Sequence, residues 1–249
     1  MNSLKKWVMS EGMKTSHKKI ENLFVVGTDT GVGKTVLSLL LMHFFFVRGY
    51  TPFYLKPVQT GCKDANDIDS DARFIYQHVG QLRDKDSADS VIYCFRNPKA
   101  PLFAARDEGK TIDLSVIERT VAQKALLHTP LILEGAGGAL VPVVGDTYMA
   151  DMIKLTNGRP LIAARAGLGT INHTLLTIES LKRRGLQPLG VVLIDAGEKT
   201  TPPEMVDENR SVIEGFSGVK VAGVIGRIHD FLQPPQACYE PFVTLFGSI

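Results

Sequence analysis

No apolar run in this sequence reaches membrane-spanning length; residues 37–47 come nearest, but the run is short and broken by Ser38 and His43. Charge of one sign is not in surplus either. Lys and Arg number 28 against 26 Asp and Glu, a net charge of +2. That balance gives no case for a nucleic-acid or anionic-membrane partner. Cysteine is scarce: Cys62, Cys94 and Cys238 are far apart and lack metal-ligand spacing. Their odd number and scatter point to a reducing, cytoplasmic compartment. The first twenty residues carry Lys5, Lys6, Lys14, Lys18 and Lys19 without the apolar stretch of a secretory leader, and read as a disordered basic extension. Internal repeats and Pro/Gly/Ser-rich linkers are missing as well. Residues 21–231 therefore read as one domain, and 232–249, with Pro234, Pro235 and Pro241, as an irregular C-terminal tail.

What is present is an alternation of two patterns. Solidly apolar runs at residues 23–26, 52–55, 91–93, 131–133, 161–164, 191–194 and 219–224 read as strands. Amphipathic stretches at 34–47, 71–79, 114–127, 171–184 and 204–214 read as helices. Strands without polar alternation fit a parallel sheet covered on both faces. The pattern predicts an α/β fold: a doubly wound, mostly parallel sheet flanked by helices. In such folds ligands bind beyond the carboxyl ends of the strands.

The first of those strand ends carries Gly27-Thr28-Asp29-Thr30-Gly31-Val32-Gly33-Lys34-Thr35. A glycine-rich turn between strand and helix is a phosphate cradle: glycines admit the anion, successive N–H groups face it, and the helix start adds positive potential. Gly31, Val32, Gly33, Lys34 and Thr35 are the predicted nucleotide contacts, with Lys34 on the outer phosphates and the Thr35 hydroxyl on Mg²⁺. The fold is accordingly P-loop NTPase-like, and the ligand a nucleoside triphosphate. The usual pattern has glycine where this chain has Thr28; here the glycine comes one residue earlier, at Gly27.

Later strands end in further candidates. Lys56-Pro57-Val58-Gln59-Thr60-Gly61 follows the second; Lys56 reads either as an ammonium aimed into the site or as a solvated turn lysine. Asp67 to Ala72 opens a helix, with Asp69 or Ser70 as N-cap and Asp71 placed to face Mg²⁺. Glu134, before Gly135-Ala136-Gly137-Gly138, closes a buried strand, where a carboxylate is costly unless it meets a cation. That makes it a second metal candidate; the alternative is a bare turn with Glu134 paired to a lysine. Residues 167–173 open another helix whose free N–H groups suit an anion, and Asn172 there either contacts a ligand or only braces the turn.

Together these motifs resemble the dethiobiotin synthetases. The likeness rests on Gly27 to Thr35, Lys56-Pro57-Val58, Ser70-Asp71-Ala72, Glu134 to Gly138 and Gly169-Thr170-Ile171-Asn172-His173, in the family's order, over roughly residues 22–226. The displaced glycine is that family's own form. The resemblance implies ATP-dependent joining of CO₂ to 7,8-diaminopelargonic acid through a carbamate and a carbamic-phosphoric anhydride, followed by ring closure to dethiobiotin. It implies Lys34, Lys56 and Thr30 as catalytic residues and Thr35, Asp71 and Glu134 as Mg²⁺ ligands. Thr30, Lys56, Thr60, Gly137, Gly138 and Asn172 are implied as substrate contacts, in a homodimer with substrate at the interface.

Asp195 departs from the family, which carries an Asn there to read adenine. A carboxylate only accepts hydrogen bonds, whereas guanine offers two adjacent donors; this raises the expectation that GTP also serves, unless Asp195 simply points to solvent. Gly226-Arg227 stands where the base-contacting loop usually has proline. The competing reading is a septum-site or plasmid-partition ATPase switch. Those proteins have an extra lysine early in the loop, where this chain has Asp29, and a C-terminal amphipathic helix that this Pro-rich end lacks. Amide-forming cobyrinate synthetases share the loop but need a glutaminase domain for which the chain has no room.

Overall fold

The computed structural model describes residues 20–197 and 199–247. The extension expected over residues 1–20 therefore lies almost wholly outside the described residues. Seven strands form one sheet: β1 (Leu23–Gly27), β2 (Phe53–Thr60), β3 (Val91–Phe95), β4 (Leu131–Gly138), β7 (Arg159–Arg165), β8 (Gly190–Asp195) and β9 (Val221–Gly226), in the order β3-β2-β4-β1-β7-β8-β9. Every neighbouring pair is parallel. A two-stranded antiparallel ribbon, β5 (Pro142–Val144) with β6 (Thr147–Tyr148), stands apart. The chain first builds outward on one side of β1, returns to insert β4, then builds outward on the other side. The end of β1 is thus the point where strand order reverses, and ligands bind at such points.

Helices cover both faces and leave one core on each. Phe24 and Val26 point into one, Leu23 and Val25 into the other, following the two-residue alternation of a strand. Among the described residues no helix is long and apolar enough to cross a membrane.

Helix α1 (Lys34–Val47) follows the glycine turn and is apolar nearly all round, with Leu37, Leu39, Leu40, Leu41, Met42, Phe44 and Phe45 buried. Such a helix needs cover on its outer side as well as on the sheet side. Part of that cover comes from α2 (Asp71–His78), which packs beside it. Three more helices, α3 (Pro101–Asp107), α4 (Leu114–Leu127) and α5 (Met149–Leu155), follow, then α6 (Thr170–Arg183) and α7 (Pro203–Ser217). The rest of the cover comes from the segment expected to be irregular: a 3₁₀ turn at Gln236–Tyr239 and α8 (Glu240–Phe246). Phe242 is 0% exposed and meets Phe44 edge-on at 5.3 Å, while Phe246 meets Phe45 at the same distance. Proline punctuation hid this helix in the sequence, but Pro241 stands in its first turn, where no N–H is needed.

Two strands run further than their apolar runs suggested. Lys56, Gln59 and Thr60 lie inside β2, and Glu134 inside β4, rather than after them. β2 pairs with β4 only over Phe53, Tyr54 and Leu55, and with β3 from Lys56 onward. Pro57 and the glycines after Glu134 look like turn signals, yet neighbouring strands supply the pairing. The β1–β4 register slips between Val25↔Glu134 and Gly27↔Gly138, forming a bulge around Gly137, whose φ is 70°. Helices α3 and α5 and the β5–β6 ribbon have too short a pattern to stand out in the sequence.

Polar bonds of His43 also tie α1 to α2 and to the C-terminal segment. His43 Nε2 donates to the His78 carbonyl at 2.9 Å, which leaves Nδ1 to accept from the Tyr239 hydroxyl at 3.2 Å. Burial holds the His43 pKa below its ordinary value, against the His78 carbonyl bond that favours the charged ring. The unfolded chain therefore binds this proton more readily than the folded one, and stability falls as pH drops below the ordinary 6.5. Urea midpoints measured at about pH 8 and about pH 5.5 should show this loss, and His43→Gln should reduce the difference. An unchanged pH dependence in the variant would remove His43 as its source.

Candidate active site

At the end of β1 the backbone turns through Gly31 and Gly33, with φ of 68° and 92°, and enters α1. The start of α1 has no side-chain cap and no acidic residue in its first turn. Its N–H groups are thus left for an external anion. Helix α2 is different. Ser70, one of the two expected N-caps, accepts from the Arg73 N–H, and the Gln59 side chain accepts from the Asp71 N–H at 3.2 Å. One helix start is closed by its own sequence and the other is open.

Thr35 in the first turn of α1, Asp71 in the first turn of α2, Lys56 in β2 and Glu134 in β4 converge beside that open start. The Thr35 hydroxyl lies 2.8 Å from Asp71 Oδ1 and 3.0 Å from Glu134 Oε1. Lys56, only 4% exposed, donates to Glu134 Oε1 at 2.8 Å and forms an ion pair with Asp71 Oδ2. The Tyr54 hydroxyl donates to Glu134 Oε2 at 3.0 Å. Lys34 Nζ donates to the Asp29 carbonyl at 3.0 Å, so its ammonium arches over its own loop.

Electrostatics follow from this packing. Burial, reinforced by repulsion from Lys56, lowers the Lys34 pKa to about 8. Burial also acts to lower Lys56, but Glu134 and Asp71 outweigh it and hold the ammonium above its ordinary value. For Asp71, burial acts upward, and the Lys56 charge with bonds from Lys56 and Thr35 brings the pKa below the usual carboxylate value. Burial and the Glu134 and Asp71 charges push the Tyr54 phenol well above its usual value, so it remains a donor.

A cavity of about 620 Å³ opens over the cluster, a size typical of small-molecule sites. Thr30, Gly31, Gly33, Lys34 and Thr35 line it, as do Lys56, Thr60, Asp71, Glu134 and Gly137. The other predicted site residues are not among those that line it. The Val32 side chain is buried in one of the two cores, while its backbone lies in the loop between Gly31 and Gly33. Gly138 is paired with Gly27 inside the sheet. Asn172 is exposed in the first turn of α6. The Asp195 carboxylate accepts from the Thr201 N–H and hydroxyl, both at 2.9 Å, and so closes the loop after β8. A carboxylate at a strand end takes the nearest donors, and here its own loop provides them. Sequence reasoning missed Gln59 and the rim segment Pro98-Lys99-Ala100-Pro101. Its position just after β3 was the available signal.

The donor set fits a hard cation. Magnesium usually takes one or two carboxylates, phosphate oxygens and waters. Thr35, Asp71 and Glu134 offer one hydroxyl and two carboxylates, each carboxylate within hydrogen-bond reach of the hydroxyl. Among the described residues there is no group of three His, Cys, Asp or Glu side chains to build a cage without phosphate.

Uncapped helix, glycine turn, lysine and hydroxyl at the switch point of a parallel sheet define a P-loop nucleotide-binding protein. A family model described as an AAA domain matches residues 21–235. An ATP-dependent dethiobiotin synthetase of Anaeromyxobacter dehalogenans is 38% identical over 74% of this chain and 80% of its own. One of Methanococcus vannielii is 32% identical over 84% of this chain and 95% of its own. The chain belongs to the dethiobiotin synthetase family. Among solved structures, the MinC:MinD cell division protein complex of Aquifex aeolicus matches with a TM-score of 0.56 at 14% identity, over 92% of this chain and 97% of that one. Septum site-determining protein MinD from Pyrococcus horikoshii, complexed with Mg-ADP, gives 0.51 at 17%, over 91% and 94%. At such identities the likeness is one of fold alone.

Gly33 has no room for a side chain. A Cβ there would lie 2.8 Å from Ile194 Cγ2, and φ is 92°. Gly33→Ala should cost about 1–3 kcal/mol of stability and displace the loop N–H groups. Nucleotide titration and urea unfolding check this; wild-type values in both would show that the loop tolerates the change.

Proposed function

We propose that the chain is a ligase that uses ATP to join CO₂ to 7,8-diaminopelargonic acid and close the ureido ring of dethiobiotin. The observation that carries this reading is the convergence of Lys34, Thr35, Lys56, Asp71 and Glu134 on one cavity. Family membership supplies the reaction.

In this reading one amine of the substrate adds to CO₂ and loses a proton, giving a carbamate. A carbamate oxygen attacks the γ-phosphorus of ATP, and ADP leaves. The second amine then attacks the carbamoyl carbon, phosphate departs, and the ring closes. Catalysis of phosphoryl transfer is mainly positioning and charge stabilisation. The loop N–H groups and Lys34 hold the phosphates. Lys56 offers its ammonium where carbamate and phosphate meet. Thr30, Thr60 and Gly137 border the space left for the diamine. Thr35, Asp71 and Glu134 hold Mg²⁺, which screens phosphate charge.

Asn172 is not among the residues that line the cavity over the cluster, and Leu168, just before the same helix, is 95% exposed. Both features support a homodimer in which residues 169–172 of a second copy complete the site at an α-helix start. ATP is the proposed nucleotide. With the Asp195 oxygens accepting from Thr201, guanine recognition by that carboxylate has no support from geometry. A cytoplasmic setting is part of the same proposal. The septum-type switch is not favoured, because its resemblance rests on fold.

Purified protein with diaminopelargonate, bicarbonate, Mg²⁺ and ATP should form dethiobiotin and ADP together. ADP formation without dethiobiotin would point to a switch, and equal kcat/KM with GTP would restore the base-reading role of Asp195. Lys34→Ala should lower kcat about 100- to 1,000-fold, the scale of losing one preorganised donor. Activity near wild type would remove Lys34 from the mechanism.

A further inference from the structure

Tyr54 stands two residues before Lys56 in β2, so both side chains project from the same face of the sheet, toward α1. Its ring is fully buried, and it is among the largest side chains in that core. Its hydroxyl nevertheless reaches a charged group, Glu134 Oε2, at 3.0 Å. The other oxygen of that carboxylate, Oε1, faces the cavity side and meets Lys56 at 2.8 Å and Thr35 at 3.0 Å. The two oxygens are thus divided: one serves the site, and one is anchored in the core.

This division has a physical consequence. The last torsion of a glutamate side chain has broad, shallow preferences. Nothing intrinsic to Glu134 keeps Oε1 toward Thr35 and Asp71. Lys56 and Thr35 hold Oε1 from the cavity side, and a donor fixed behind Oε2 holds the carboxylate from the core side; a buried ring in a packed core is such a donor. A phenol suits this place because it is neutral. A second lysine there would cancel the charge that the carboxylate must present to a cation.

We propose that Tyr54 is a positioning residue of the cation site: its hydroxyl sets the rotation of Glu134 so that Oε1 is presented to a Mg²⁺ shared with Thr35 and Asp71. The proposal rests on the reading of these three residues as the Mg²⁺ ligands. Tyr54 is buried and does not line the cavity, so it acts through Glu134.

The test is Mg²⁺ titration of the whole protein with ADP, followed by calorimetry and therefore free of turnover. Tyr54→Phe keeps the ring and removes the hydroxyl. Its Mg²⁺ affinity should fall about tenfold to a hundredfold, the range found when a partner that orients a metal ligand is lost. ADP affinity in the presence of a chelator should stay within about twofold of wild type, since an orienting role acts only through the metal. In turnover, the Mg²⁺ concentration for half-maximal rate should rise while kcat at saturating Mg²⁺ largely recovers. Tyr54→Met, which fills the space flexibly without a donor, should repeat the result and serves if the Phe variant does not fold. Wild-type Mg²⁺ affinity in either folded variant overturns the proposal and leaves the metal reading intact. An equal loss of ADP affinity with and without Mg²⁺ also overturns it, because that is the mark of a packing role. Absence of Mg²⁺-dependent ADP binding in the wild type would sink the metal reading and the proposal together.

Discussion

A buried ammonium shared by two carboxylates is the constraint around which the rest is arranged. The Lys56 ammonium keeps its charge in the core by pairing with Asp71 and Glu134, and it offsets the repulsion between those two carboxylates. Removing one member of such a cluster leaves an uncompensated charge and costs about 3–5 kcal/mol, whereas the intact cluster adds little net stability. It contributes specificity instead. Strands β2 and β4 must be neighbours, α2 must start next to β2, and α1 must bring Thr35 between the carboxylates. A register slip in either strand would turn Lys56 or Glu134 to the opposite face. The same groups carry the proposed chemistry, so fold specificity and site geometry have one cause.

Helix α1 links this cluster to the far side of the molecule. Its first turn faces the cavity, and residues 37–42 behind it are all buried. The helix is kept in place by the sheet beneath it and by the C-terminal segment above it, through Phe242, Phe246 and the Tyr239–His43 bond. The open helix start that suits a phosphate can stay uncapped because tertiary packing, not capping, holds α1. Helix α2 has less buried surface and carries a cap.

Much of this was legible in the chain. All seven strands of the main sheet and all five long helices sit where apolar runs and amphipathic stretches placed them, because helices on both faces force those runs to be uniformly apolar. The phosphate loop was legible because its chemistry is contiguous. Strand lengths were not. Pro57 and the glycines after Glu134 are turn signals locally, but pairing with β3 and β1 overrides them. Tyr54 read as an ordinary apolar strand residue, and only the position of Glu134 across the sheet gives its hydroxyl a role. Asp195 was legible as a strand end but not as a carboxylate occupied by Thr201.

Sequence alone determined the class of fold, the phosphate loop and the family, because each depends on residues adjacent in the chain or on a repeated local pattern. Tertiary structure decided which distant residues meet. Thr35 and Glu134 are 99 positions apart and Tyr54 and Glu134 are 80 apart, yet each pair shares a hydrogen bond. Strand order and register set those meetings, and both are fixed by the packing of two cores at once. No local stretch of the chain carries that information.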